Sequence, residues 1–141
     1  MDNLHDTIFY KIIGGELPSY KIHEDEDFLV ILDRFPANLG HCLILPKAPA
    51  KDIFGLDEKT AARLYPLAQK IAQGIKAATG CDGINILQNN GSEAGQVIFY
   101  FHLHIIPRYK NDGVNIAPRP NDFKSEHFEN MAEKVRKGLG F

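Results

Sequence analysis

Apolar residues along the chain fall into short runs separated by turn residues. Ile8-Phe9-Tyr10-Lys11-Ile12-Ile13 reads as a short helix closed by Gly14-Gly15, because glycine readily ends a helix. Tyr20 to Glu24 alternates weakly and predicts a strand. Phe28 to Leu32 is continuously apolar, as in a strand buried on both faces. His41 to Leu45 reads as a third strand, stopped by Pro46. The longest periodic stretch places Ala61, Leu64, Tyr65, Ala68, Ile71, Ala72 and Ile75 on one helical face. Asp57 suits its N-cap and Gly80 its C-terminal stop. Pro66, inside the pattern, predicts a kink or the point where regular helix begins. Gly83 to Gln88 and Val97 to Ile106 read as two more strands, joined by the polar loop Asn89 to Gln96. Residues 111–122 read as an irregular loop. Phe123 to Leu139 predicts a last helix with Phe128, Met131, Ala132 and Val135 on one face. Five strands, one long central helix and a C-terminal helix, without regular alternation, predict an α+β domain on an antiparallel five-stranded sheet.

Composition narrows the function classes. The 141 residues show no repeat, linker or low-complexity segment, so one domain over residues 1–141 is expected. A net charge of −2 predicts no general attraction to nucleic acid or to an anionic membrane surface. No apolar stretch approaches the roughly 20 residues needed to cross a bilayer. The acidic, polar segment Met1 to Asp6 is unlike a secretory signal. Cys42 and Cys81 are far apart and form no CxxC pair. A reducing, cytoplasmic setting is the expectation.

The chemistry is concentrated between Gln96 and Arg108. If this stretch is one strand, its side chains alternate between two faces. Val97, Phe99, Phe101, Leu103 and Ile105 then form a core face, while Gln96, Tyr100, His102 and His104 form a polar row. Imidazoles at i and i+2 lie about 7 Å apart along a strand. Near neutral pH one can be an uncharged nucleophile while the other carries a proton. That pairing suits attack on phosphorus. Two other readings stay open: ordinary hydrogen-bonded strand histidines, and a metal site, for which further ligands are wanting nearby. The loop before the strand offers the amides of Asn89, Asn90 and Gln96, and Gly91 and Gly95 allow close backbone approach to an anion. A plain hairpin turn is the alternative there.

The run Gly95-Gln96-x-x-x-Tyr100-x-His102-x-His104-x-x-Pro107-Arg108 resembles the signature of the histidine triad (HIT) superfamily. Thr7 to Ile13, Glu24-Asp25, Leu32-Asp33, Gly40-His41-Cys42-Leu43-Ile44-Leu45-Pro46-Lys47 and Asn89-Asn90-Gly91 extend the likeness over residues 7–109, closest to the Hint-like bacterial branch. The remainder, 110–141, is a C-terminal extension. The resemblance implies a HIT fold forming a homodimer, with no cofactor and no metal. It implies a hydrolase or transferase acting on the α-phosphate of AMP-X compounds, phosphoramidates or dinucleoside polyphosphates, through a nucleotidyl-histidine. In that scheme His102 is the nucleophile, His104 contacts the phosphate, and His41 packs beside the nucleophile. Asn89 and Gln96 hold the nucleophile or phosphate. Asp33 accepts hydrogen bonds from ribose. Ile8, Phe9, Ile12 and Leu32 form the slot for a purine base, and Gly95 belongs to the nucleotide-binding loop.

Two departures accompany the resemblance. Tyr100 stands where the first histidine of the triad belongs, and Val97 stands where a hydroxyl could bond to phosphate. Thr7, Tyr10, Pro49 and Tyr100 occupy the four places where some bacterial relatives ligate a structural zinc. Losing all four together implies loss of the whole zinc site. The alternatives to a hydrolase are a non-catalytic purine-nucleotide-binding module and a metal-dependent hydrolase using His102 and His104. Asp33 could instead cap the turn before Pro36, His41 could be a strand-edge histidine, and Ile8, Phe9 and Ile12 could be plain core.

Overall fold

A computed structural model describes residues 3–141, so the first two residues of the acidic N-terminal segment lie outside it. Five strands, β1 Lys21–Glu24, β2 Phe28–Leu32, β3 Cys42–Pro46, β4 Gly83–Leu87 and β5 Leu103–Arg108, form one antiparallel sheet in the order β1-β2-β3-β5-β4. Helix α1 spans Ile8–Ile13, α2 Glu58–Thr79 and α3 Ser125–Leu139. Five antiparallel strands with a long central helix and a C-terminal helix are the expected α+β arrangement. No helix is long and apolar enough to cross a membrane among the described residues.

Side-chain caps start both helices of the core, and that of α2 is the predicted Asp57. Thr7 accepts from the Tyr10 amide ahead of α1, and Asp57 accepts from the Thr60 amide ahead of α2. Gly80 ends α2 at a φ of 66°, where a residue with a Cβ is disfavoured. The helix runs through Pro66, so that residue does not mark its start.

The sheet has apolar residues on both faces, and each face is covered by a different helix. Phe28, Val30, Cys42, Ile44, Phe101, Leu103 and Ile105 pack with Leu64, Ala68 and Ile75 of α2. Leu29, Ile31, Leu43, Leu45 and Tyr100 pack with Phe9 of α1. Alternation along β2 and β3 therefore sorts residues into two cores, which is why those runs read as continuously apolar. Helix α3 differs: Phe128, Met131 and Val135 are exposed, and Phe128 meets the ring of Phe123 just ahead of the helix, with centroids 6.3 Å apart.

One expectation fails in an informative way. The strand predicted from Val97 begins only at Leu103. Val97 is 84% exposed instead of buried, and Gln96 and Tyr100 are buried instead of forming an exposed polar row. The β3 register puts Ile44 opposite Leu103, so Pro46 would stand opposite Phe101. Pro46 has no N–H to give, and its C=O already accepts from the Tyr100 hydroxyl. The Phe101 amide donates instead to the Ala50 carbonyl, at 2.7 Å. The core face of the prediction holds for Phe101, Leu103 and Ile105, although the ladder itself begins at Leu103.

Candidate active site

Side-chain parity assembles the site on the α1 face. Leu103 and Ile105 point to α2, so His102 and His104 point the other way, beside Phe9. His41 immediately precedes β3 and Asp33 immediately follows β2. The Asp33 amide donates to the His41 carbonyl at 2.8 Å, which joins these two strand ends. Asp33, His41 and His104 come within 4.8 Å of one another through their ligand-type atoms. The His102 and His104 ring centroids are 4.8 Å apart, and those of His41 and His104 are 5.1 Å apart. The histidines are closer than an ideal strand would set them, because His102 precedes β5 and its ring turns back onto its own backbone.

Backbone groups settle the state of each ring. His102 Nδ1 lies 2.6 Å from the Tyr100 carbonyl. A carbonyl only accepts, so Nδ1 carries the proton and Nε2 keeps its lone pair. His102 Nε2 has no hydrogen-bond partner among the described residues, and no unpartnered side-chain nitrogen or oxygen there is sealed from solvent. His102 is thus a buried imidazole with one accessible, unprotonated nitrogen. Burial pushes its pKa below the ordinary value, opposed by the Tyr100 carbonyl and the Asp33 charge. Burial also lowers His41, against the pull of Asp33. Burial, with smaller effects of His102 and His41, brings His104 down to about 4. All three rings are therefore neutral at pH 7 in the unliganded protein. This corrects the expectation that one of them carries a proton there.

These shifts predict a pH effect on stability. The unfolded chain takes up protons near the ordinary histidine value of about 6.5, whereas folded His104 resists protonation until about 4. The unfolded state binds more protons between those limits, so stability falls as pH drops through that window. Urea midpoints are expected to decrease from pH 7 to pH 5, less steeply in His104→Gln. A flat or rising midpoint over that range would contradict the assignment.

The Asp33, His41 and His104 group has the composition of a metal site but not the free lone pairs of one. The Ala37 amide donates to His41 Nδ1 at 3.0 Å, and His41 Nε2 faces both His104 Nδ1 at 2.9 Å and Asp33 Oδ2 at 3.5 Å. With Nδ1 accepting, Nε2 must carry the proton, so a metal there would require an imidazolate. Two of the four positions that the resemblance links to a zinc site have other roles. Thr7 caps α1, and Tyr10 packs against the cluster that holds Tyr100.

The loop residues divide. Gln96 is 3% exposed and its amide is fully engaged: it accepts from the Gly91 amide and donates to the Lys51 and Ile98 carbonyls, at 2.8, 2.8 and 3.2 Å. It staples the polar loop to the segment after β3 and is not aimed at the histidines. Gln96→Ala is expected to cost about 1–3 kcal/mol, since it orphans the Gly91 amide among others. An unchanged melting temperature by calorimetry would refute that role. Asn89 reaches only the Gly95 carbonyl, at 3.4 Å. Gly95 has a φ of 90°, and a Cβ there would come 3.3 Å from Asn89 Nδ2, so the loop requires glycine twice over. Of the proposed base slot, Phe9 and Ile12 belong to the α1-side cluster and Ile8 is half exposed, but Leu32 packs on the α2 side. The structure does not bring Leu32 together with Phe9.

Sequence reasoning missed the Ala37 amide, the Tyr100 carbonyl and the Ala50 and Lys51 carbonyls, because backbone groups carry no residue-type signal. It also missed the clamp behind the site. Asp112 binds Arg108 and the Tyr109 and Val114 amides, and accepts from Asn38, which also donates to the Pro107 carbonyl. The spacing of Arg108 and Asp112 was a readable hint.

The sequence model of the HIT domain family matches residues 14–111. The chain is 38% identical over 137 residues to Protein hit of Bacillus subtilis, covering 95% of this chain and 94% of that one. It is 44% identical over 108 residues to adenylylsulfatase HINT3 of Arabidopsis thaliana, covering 77% of this chain and 55% of that one. The solved structure of a histidine triad nucleotide-binding protein from Candida albicans superposes with a TM-score of 0.86 at 28% identity, over 96% of this chain and 98% of that chain.

Proposed function

We propose that this chain, which belongs to the HIT domain family, cleaves AMP-X compounds at the α-phosphate through a covalent nucleotidyl-histidine at His102. The observation that carries this reading is the state of that ring: Nδ1–H held by the Tyr100 carbonyl, Nε2 unprotonated and open. Such a nitrogen can attack phosphorus without first losing a proton. The N–P bond forms as the bond from phosphorus to X breaks, and X leaves with its electron pair and takes up a proton from solvent. Water then attacks the phosphorus and returns a proton to solvent, and His102 departs as a neutral imidazole, releasing AMP. The Phe9 ring packs edge-on to His102 at 4.9 Å between centroids and helps exclude water from the nucleophile. Asp33 keeps acceptor capacity on both carboxylate oxygens for the ribose hydroxyls, although Oδ1 also takes the Phe35 amide. An adenylylsulfatase among the relatives supports an adenylyl half joined to a variable leaving group.

The same reading includes a homodimer. Strand β4 ends the sheet, and beside it Tyr65, Ala72, Ile84 and Ile86 line an apolar hollow of about 500 Å³. An unpaired sheet edge next to an apolar hollow is a natural place for a second copy. It also includes a reducing compartment, since Cys42 and Cys81 are both buried free thiols.

The test is release of AMP from adenosine 5′-phosphoramidate, with and without EDTA, and mass spectrometry of quenched protein for an adenylyl adduct. Turnover that resists EDTA, with an adduct on His102, is the expected result. AMP binding in a titration without turnover would replace this reading with a nucleotide-binding module.

A further inference from the structure

We propose that His41 is a positioning residue that locks His104 in its Nε2–H tautomer, so that the site presents a neutral, oriented N–H donor to a phosphoryl oxygen. The phosphoryl ligand rests on the function proposed above; the tautomer does not.

The direction of the chain of hydrogen bonds follows from its first link. A backbone amide is only a donor, and the Ala37 amide points at His41 Nδ1 from 3.0 Å. His41 must accept there, which places its single proton on Nε2. The Asp33 carboxylate, 3.5 Å from His41 Nε2, independently favours a proton at that nitrogen. His41 Nε2 then donates to His104 Nδ1 across 2.9 Å. With Nδ1 accepting, neutral His104 carries its proton on Nε2. No link can reverse, because the amide at the origin cannot become an acceptor.

The neighbouring ring is wired the opposite way round. His102 Nδ1 gives its proton to a carbonyl, whereas His104 Nδ1 receives one from His41. Two imidazoles with centroids 4.8 Å apart thus offer one lone pair and one N–H at their outer nitrogens. A nucleophile beside a donor is the pair that attack on an anionic phosphoryl group calls for. Had both rings been wired alike, the site would offer two lone pairs or two donors.

The test reads tautomers directly, in the whole protein without substrate. Long-range proton–nitrogen spectra of 15N-histidine-labelled wild type are expected to show His104 with a pyridine-type Nδ1 and a pyrrole-type Nε2. His102 should show the reverse pattern. In His41→Leu, His104 is expected to lose that single state and to show both tautomers. kcat for adenosine 5′-phosphoramidate is expected to drop about 10-fold with KM changed far less, one hydrogen bond's worth of orientation. His41→Gln, whose amide can accept from Ala37 and donate to His104, should restore the spectrum and most of kcat. A pyrrole-type His104 Nδ1 in the wild type would overturn the proposal even if His41→Leu failed to fold. So would a His41→Leu protein with unchanged spectrum and kcat. A wild type with the expected spectrum but no turnover would overturn the function proposed above and leave the tautomer lock standing.

Discussion

His102→Ala is expected to release AMP from adenosine 5′-phosphoramidate on the order of 10⁶-fold more slowly than the wild type, the scale seen when a covalent nucleophile is removed. The prediction follows from what remains in the variant. His104 keeps its ring and Asp33 its carboxylate, so the groups proposed to hold the phosphate and the ribose remain. Only the atom that would bond to phosphorus is gone. AMP affinity is therefore expected to change much less than kcat. The adenylyl adduct should vanish from the mass spectrum. The cavity left beside Phe9 lowers stability too, so circular dichroism must confirm a folded variant before rates are compared. A rate within 10-fold of wild type would exclude His102 as the nucleophile.

Tyr100→Phe is expected to cost about 1–3 kcal/mol, the penalty for orphaning a buried acceptor, here the Pro46 carbonyl. At this chain length that lowers the melting temperature by about 2–4 °C per kcal/mol. Tyr100→Ala is expected to cost more, about 3–5 kcal/mol, because it also empties a fully buried ring site in the α1-side core. Burial keeps the phenol neutral, well above its ordinary pKa, so its role is to donate. The consequence reaches the site through the backbone. Tyr100 is anchored by its hydroxyl at one end, and its carbonyl holds His102 Nδ1 at the other. Tyr100→Phe should therefore lose some kcat as well as stability, with KM little altered. A melting temperature equal to wild type would show that the hydroxyl bond carries no weight.

Tyr100 also illustrates how a departure from a motif is to be read. In sequence it stood where the first histidine of the triad belongs. In the structure that position supplies two groups, a backbone carbonyl that any residue would offer to His102 and a buried hydroxyl that the tyrosine ring brings to the Pro46 carbonyl. The substitution therefore bears on how the strand end is held, while the nitrogen proposed to react sits at His102.

Much of the fold was legible because its signals are local. The period of α2, the caps Asp57 and Gly80, the glycine stop after α1 and the apolar runs of β2 and β3 depend on near neighbours in the chain, and the elements formed where those signals lie, except that β3 starts at Cys42 and includes Pro46, paired with Phe28, instead of stopping before it. The length of the last strand was not legible. Val97 to Phe101 alternate as a strand does, but a strand also needs a partner, and the residue in register is a proline whose carbonyl is taken. The exposed apolar face of α3 was equally hidden, since periodicity marks an apolar face without saying what covers it.

Residue types and alternation alone singled out His102 and His104 on one face, and the family resemblance added His41 and Asp33. Which nitrogen keeps a lone pair, which carries a proton and whether either ring is charged depend on tertiary structure. Protonation depends on burial, and tautomer depends on a carbonyl at Tyr100 and an amide at Ala37. Those are backbone groups, the same in every residue, and only the folded chain determines where they point.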